Sequence, residues 1–498
     1  MQLQFQKTKI SCLNPILRQV ENLEQTQELR MTEGTPGATR ILSAWGQILM
    51  RSKQWMGTTA ELNGGVQVWV AYEPEDGTPV RCLDTWIPFQ MHWDLPDGSP
   101  EGKIRILPRL RFVDARPVSA GKVMIRVGIA ALGECLVPMD EEVSRGGNIP
   151  EDIELLESVW PVRIPRETGE KPFELDEMLT VPPSVPQPDR LLYWHMEPSV
   201  TDQKVMADKL VFRGSGNLHV FYRCEDGQFH SWDFEVPFHQ YAQLEGSYSG
   251  DAGADVMMAM TRLDLDQDGE GKLHLHAGLT GQYLVDDRET LRTVEDAYSP
   301  CRELTVNREE LMLPVMLDSR RENLYGEQQI PIDADQVADS LFLPDFPQIR
   351  REGDVVSMSQ PGTMQLTYYD SQGSLQSIGH RWQADHSIRA DDHVGLYAVP
   401  QGVESRITVG AETVTVGVEV PVQIVTSAGQ GIPMVTDMQL EERKTPDPNR
   451  PSLVLQRAGK KRLWDLARSC GSTTDAIRGA NDLEGEPDPD KMLLIPVI

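Results

Sequence analysis

The sequence predicts a mainly β fold: tandem repeated sandwich- or barrel-like units followed by a small C-terminal α/β module of βααβ order. Three observations predict it. The stretch "AYEPEDG" at 71–77 returns as "FYRCEDG" at 221–227, an offset of 150. Arg40 and Arg190, Pro36 and Pro186, Gly64 and Gly214, Tyr72 and Tyr222, and Asp114 and Asp264 keep that offset, as do Gly121-Lys122 and Gly271-Lys272. "WIPFQ" and "EVPFH" place Pro88 and Pro237 149 apart, which needs one deletion in a loop. A shared offset across unrelated neighbours marks an internal duplication. Within each copy, short runs rich in valine and aromatics alternate with polar residues and end in turn residues, the pattern of half-buried strands. After residue 451 the period changes to that of a helix.

Residues 1–150 form the first unit, with an N-terminal lead-in where "PILRQVENLEQTQEL" fits an amphipathic helix. "VQVWVAY", the turn Glu-Asp-Gly and "TPVRCLDTWIPF" then read as a hairpin, and "GKVMIRVGIAALGECLV" as a strand pair broken at glycine. Residues 151–305 repeat this with "NLHVFYR", "QFHSWDFEVPF" and "GKLHLHAGLTGQYLV". Residues 306–441 form a third, divergent unit, in which Gly362, Tyr369 and Gly373 lie over Gly65, Tyr72 and Gly77 and "RITVGAETVTVGVEVPVQIV" supplies further strands. The proline-rich "TVPPSVPQPDR" reads as a linker or edge segment, and 442–451, "ERKTPDPNRP", as a linker. In 452–498, Leu463, Leu466, Ala467 and Cys470 fall on one helical face that Gly471 would end. Thr473 or Thr474 would cap a second helix burying Ile477 and Ala480, between strands "LVLQR" and "MLLIPV".

At 498 residues the chain is too long for one core and long enough for three or four domains. The opening "MQLQFQKTKISCLNPILRQV" lacks the apolar core of a signal peptide, and no run is apolar enough to span a bilayer. Cys12, Cys82, Cys135, Cys224, Cys301 and Cys470 are scattered, as expected of free thiols in a reducing compartment. A net charge of −29 argues against nucleic-acid binding and favours basic or cation-bridged partners.

No catalytic residue, metal or cofactor is assigned. Asp264, Asp266, Asp268 and Gly269 match the start of a calcium loop, but Leu275 stands where that loop needs a bidentate glutamate. His274 and His276 face one side of a strand, with no third ligand identifiable. Neither a Gly-x-Ser-x-Gly elbow nor a phosphate-binding loop occurs. The repeated Glu-Asp-Gly carboxylates read as turn chemistry. The chain is therefore expected not to be an enzyme.

The last segment, "LWDLARSCGSTTDAIRGANDL" followed by "KMLLIP", resembles the LysM module through Leu463, Trp464, Ala467, Gly471, Ala480, Asn481, Leu483, Leu493, Ile495 and Pro496. The resemblance implies a core of Leu463, Trp464, Leu466, Ala467, Ile477 and Ile495. It also implies partner or glycan contacts at Gly459, Lys460, Lys461, Arg462, Asn481, Asp482 and Leu483. The Gly-Asp-Ser/Thr usual before Leu-Trp is Lys460-Lys461-Arg462 here, three cations in place of an acid and a hydroxyl. The remainder, including "DARPVSAGKVMIRVG" and "LTVNREELMLPVMLDSRRENLYGEQ", resembles the SPOCS-domain proteins of spore-forming Firmicutes, which often carry a C-terminal LysM. That resemblance implies a spore-envelope adaptor at the forespore surface, in the mother-cell cytoplasm, docking on the coat's basement-layer ATPase and able to self-associate. The alternative it leaves open is a peptidoglycan-binding protein of the wall or cortex.

Overall fold

The computed structural model describes residues 2–498 except 4, 32–34, 120, 148, 269–270, 354, 390–393 and 444–449. Most of the 442–451 linker and Gly269 thus lie outside the described residues. Strands hold 75% of the described residues and helices 3%, so their backbone donors are satisfied mainly by antiparallel ladders.

A two-residue β1 (Gln2–Leu3) precedes β2 (Gln6–Arg30), β3 (Ala38–Met56), β4 (Thr59–Pro74), β5 (Arg81–Asp94), β6 (Lys103–Ser119) and β7 (Lys122–Arg145). The meander β3-β4-β5 faces the sheet β2-β7-β6 across a shared core that includes Val66 and Val68 on one side and Ile125 and Val127 on the other. Next come β8 (Glu154–Leu179), β9 (Pro188–Met206), β10 (Lys209–Cys224), β11 (Phe229–Gln243), β12 (Gly253–Gln267) and β13 (Leu273–Tyr298). Their sheets, β9-β10-β11 and β8-β13-β12, repeat the same plan.

The register repeats too. Tyr72 stands opposite Ile41 and Arg81, and Tyr222 opposite Leu191 and His230. Gly65 faces Pro88 as Ser215 faces Pro237. The deletion falls in the hairpin turn, where Asp76 accepts the Thr78 N–H at 3.0 Å and Asp226 the Gln228 N–H at 2.9 Å. Gly77, Gly227 and Gly373 hold φ of 72°, 85° and 75°, a left-handed turn position that favours glycine.

The third part uses the plan in broken form. It comprises β14 (Arg302–Ile330), β15 (Gln336–Pro344), β16 (Gln348–Glu352), β17 (Val355–Tyr369), β18 (Leu375–Arg389), β19 (Gly395–Pro400), β20 (Glu404–Val409) and β21 (Val414–Arg443). Both β15 and β16 pair with β17, together standing where β3 or β9 is continuous. Pro347, which has no N–H to give a ladder, lies in the gap. Likewise β19 and β20 share the place of β6 on β21, and β1 adds to β21 through Gln2 opposite Gln439.

The three parts meet pairwise and share buried clusters, the large core of the first part taking in Tyr193 of the second and Leu341 of the third. A further cluster gathers Ile10 and Cys12 of β2, Val162 and Ile164 of β8, and Leu311 and Leu313 of β14. Another brings together Leu107, Met257 and Val399 from the corresponding strands β6, β12 and β19. Beside it Arg105, with 1% of its side chain exposed, pairs with Glu134 at 2.8 Å and with Asp255 at 2.5 Å. Arg18 also bonds Glu134 and lies 3.8 Å over the Tyr397 ring. Burial alone would raise the Glu134 carboxyl, yet Arg18 and Arg105 overcome it and hold it below the ordinary range. Between the second and third parts, His219 Nδ1 lies 2.6 Å from Asp233 and Nε2 2.7 Å from buried Asp339, which also accepts the Tyr193 hydroxyl at 2.7 Å.

The helix expected at 15–29 is instead strand β2. Its run of Glu, Gln and Leu favours helix locally, but twenty-four residues of β2 pair with β7. Leu23 and Leu29 turn toward the core while Glu24 and Glu28 turn out, a period of two. A long cross-strand ladder outweighs a weak propensity.

Candidate functional site

The C-terminal unit consists of β22 (Leu453–Arg457), α1 (Leu463–Cys470), α2 (Thr474–Asn481) and β23 (Met492–Pro496), with β22 antiparallel to β23. Helix α1 buries Leu463, Trp464, Leu466 and Ala467, and α2 buries Ile477. They cluster with Leu493 and Ile495. Gly471, at φ 66°, ends α1, and Thr473 caps α2 by accepting the Ala476 N–H at 3.1 Å. Ala480, expected inside, is exposed: Asn481, four residues after Ile477, takes the inward position.

The loops before α1 and after α2 are tied together. Gly459 N–H donates to Pro489 O at 2.9 Å and Ala458 N–H to Lys491 O at 3.0 Å. No side chain of the residue before α1 caps it; the Glu486 carboxylate accepts the Leu463 N–H at 2.7 Å, an anion at a helix N-terminus. Asn481 is spent inside the unit. Its Nδ2 donates to Leu494 O at 2.6 Å and Ile477 O at 2.8 Å, and its Oδ1 accepts the Leu494 N–H at 2.8 Å. Asp482 is exposed in a left-handed turn, and Leu483 packs partly into the core. Lys460 and Lys461 are exposed, while Arg462 reaches Glu295 of β13 at 3.7 Å.

This unit is seated on the β8–β13 end. Trp464, 5% exposed, meets Tyr298 edge-on with ring centroids 4.7 Å apart. Its Nε1 lies 3.4 Å from Asp296, which also pairs with Arg468 at 2.6 Å, and Tyr298 Oη donates to Ser472 O at 2.9 Å. The expected core residues thus meet, and Trp464 is also buried against a residue of the second part that the module pattern cannot contain.

A second cluster lies on the outer face of β8 and β13. Asp176 Oδ1 is 2.8 Å from His274 Nε2, and Oδ2 is 3.2 Å from His276 Nδ1. Asp176 is the third polar group beside the two histidines, and only the pairing of β8 with β13 brings it there. Asp264 and Asp266 lie on strand β12 and Asp268 in its hairpin, where Asp268 Oδ1 accepts the Lys272 N–H, without flanking helices.

Residues 188–267 match the family model described as SipL, SPOCS domain. No curated protein and no solved structure matches the chain. The SPOCS-matched segment runs from the start of β9 to the end of β12, and the register carries its plan onto 38–117 of the first part. The matched family is sporulation-associated and non-catalytic. No helix among the described residues is long and apolar enough to cross a membrane.

Proposed function

We propose that the chain is a non-enzymatic structural adaptor of the spore envelope, acting at the forespore surface from the mother-cell cytoplasm. The SPOCS match within one of the repeated β parts is the observation that carries this reading. In it the β parts make assembly contacts, and the C-terminal unit, read as a LysM module, docks on the coat's basement-layer ATPase. Exposed Lys460 and Lys461 suit an acidic protein surface, while Asn481, whose side-chain polar groups serve the unit's own strand, is poorly placed to hold a glycan.

The test is parallel capture of the full chain by the purified ATPase and by purified peptidoglycan, with Lys460→Glu/Lys461→Glu as the variant. Arg462 is left intact because it touches Glu295. Salt-sensitive ATPase capture, weakened by the variant, supports the adaptor. Retention on peptidoglycan that ignores both salt and variant would favour the wall- or cortex-binding alternative.

A further inference from the structure

We propose that Asp176, His274 and His276 bind a divalent first-row transition ion, with zinc as the test ion. Strand geometry builds the site: His274 and His276, two apart, share one face of β13, and the β8 register sets Asp176 directly opposite His276. The three ligand atoms lie within 4.8 Å of one another, and the imidazole centroids are 4.0 Å apart. Tetrahedral zinc with bonds of about 2.0–2.1 Å sets its donors roughly 3.3 Å apart. Small side-chain rotations at a half-exposed face cover the difference.

The donor set selects the ion. Two imidazoles and one carboxylate suit zinc, nickel or copper, whereas calcium takes six to eight oxygens. On the neighbouring strand Asp264 stands opposite His276 but is engaged by Arg262 at 2.5 Å, whereas exposed Asp266 stands opposite His274 and, or else water, supplies a fourth donor.

The repeat itself supplies an independent argument. At the equivalent positions of the first part stand Thr26, Met124 and Arg126, with Arg126 opposite Thr26 as His276 is opposite Asp176. The same sheet therefore forms without this trio, so the fold does not require it. The site would staple β8 to β13, two strands far apart in sequence, on the part that carries the family match.

The experiment titrates zinc chloride into the chelator-stripped full chain by calorimetry, with cobalt substitution to read the ligand type. The expected result is one ion per chain, a cobalt spectrum without thiolate charge transfer, no heat with calcium, and a thermal midpoint that zinc raises. His274→Ala/His276→Ala and the near-isosteric Asp176→Asn should each weaken binding by at least ~10-fold. Stripped variants with the midpoint of the stripped parent establish that the fold is intact. Absence of zinc binding, or binding unchanged in either variant, overturns the proposal.

Discussion

Arg105 and Asp255 occupy the same position in two successive copies, 150 residues apart, and each is the other's buried ion-pair partner. A duplicated site has thus diverged into a complementary pair at the place where its copies meet. Removing the guanidinium leaves Glu134 and Asp255 buried without it. Arg105→Ala should cost about 3–5 kcal/mol, seen as a lower urea midpoint. Glu134, whose folded pKa is depressed, contributes stability above the ordinary carboxylate pKa and loses it as pH falls through the folded value. The variant's acid limb should therefore be shallower.

His219 supplies the opposite sign. Burial is the largest influence and would lower its pKa, but Asp339 and Asp233 more than offset it and lift it from 6.5 to about 10. Its contribution is complete below pH 6.5 and is lost as pH rises toward about 10. His219→Gln should lower the thermal midpoint most on the acid side of that window, and the gap to the parent should close toward its alkaline end. A gap constant with pH would mean that the imidazolium is not the stabilising form.

Trp464→Ala should cost about 3 kcal/mol or more, because the ring is buried against both its own unit and Tyr298. Tyr298→Phe, losing only the bond to Ser472 O, should cost about 1 kcal/mol. Denaturation monitored at the C-terminal unit reads both, and equal losses would contradict the packing.

Asn481→Ala should destabilise the C-terminal unit by roughly 1–3 kcal/mol, since it strips the Leu494 N–H and C=O of their side-chain partner. Amide exchange at Leu494 is the readout. Lost partner binding with unchanged exchange would instead place Asn481 at an interface.

What was legible in the sequence was what local chemistry writes. The Glu-Asp-Gly turns and the alternation around Tyr72 and Tyr222 are local, so the repeat could be read, and α1 announced itself by spacing and by Gly471. The third copy was blurred because Pro347 and the 401–403 segment each interrupt a strand that runs unbroken elsewhere. Residues 15–29 misled because helix propensity is local while the β7 ladder is not. Asp176 stayed hidden for the same reason, lying 98 positions before His274. The role of Asn481 also depended on pairing, since only the fold shows Leu494 beside it.

Gln2 and Leu3 lie against Gln439 and Met438, so the start of the chain is laced into the last long strand. Every β part touches both others, so the copies are joined in a ring within a single molecule. Each copy thereby serves as a neighbour to the other two, so a change at one seam is felt by all three β parts.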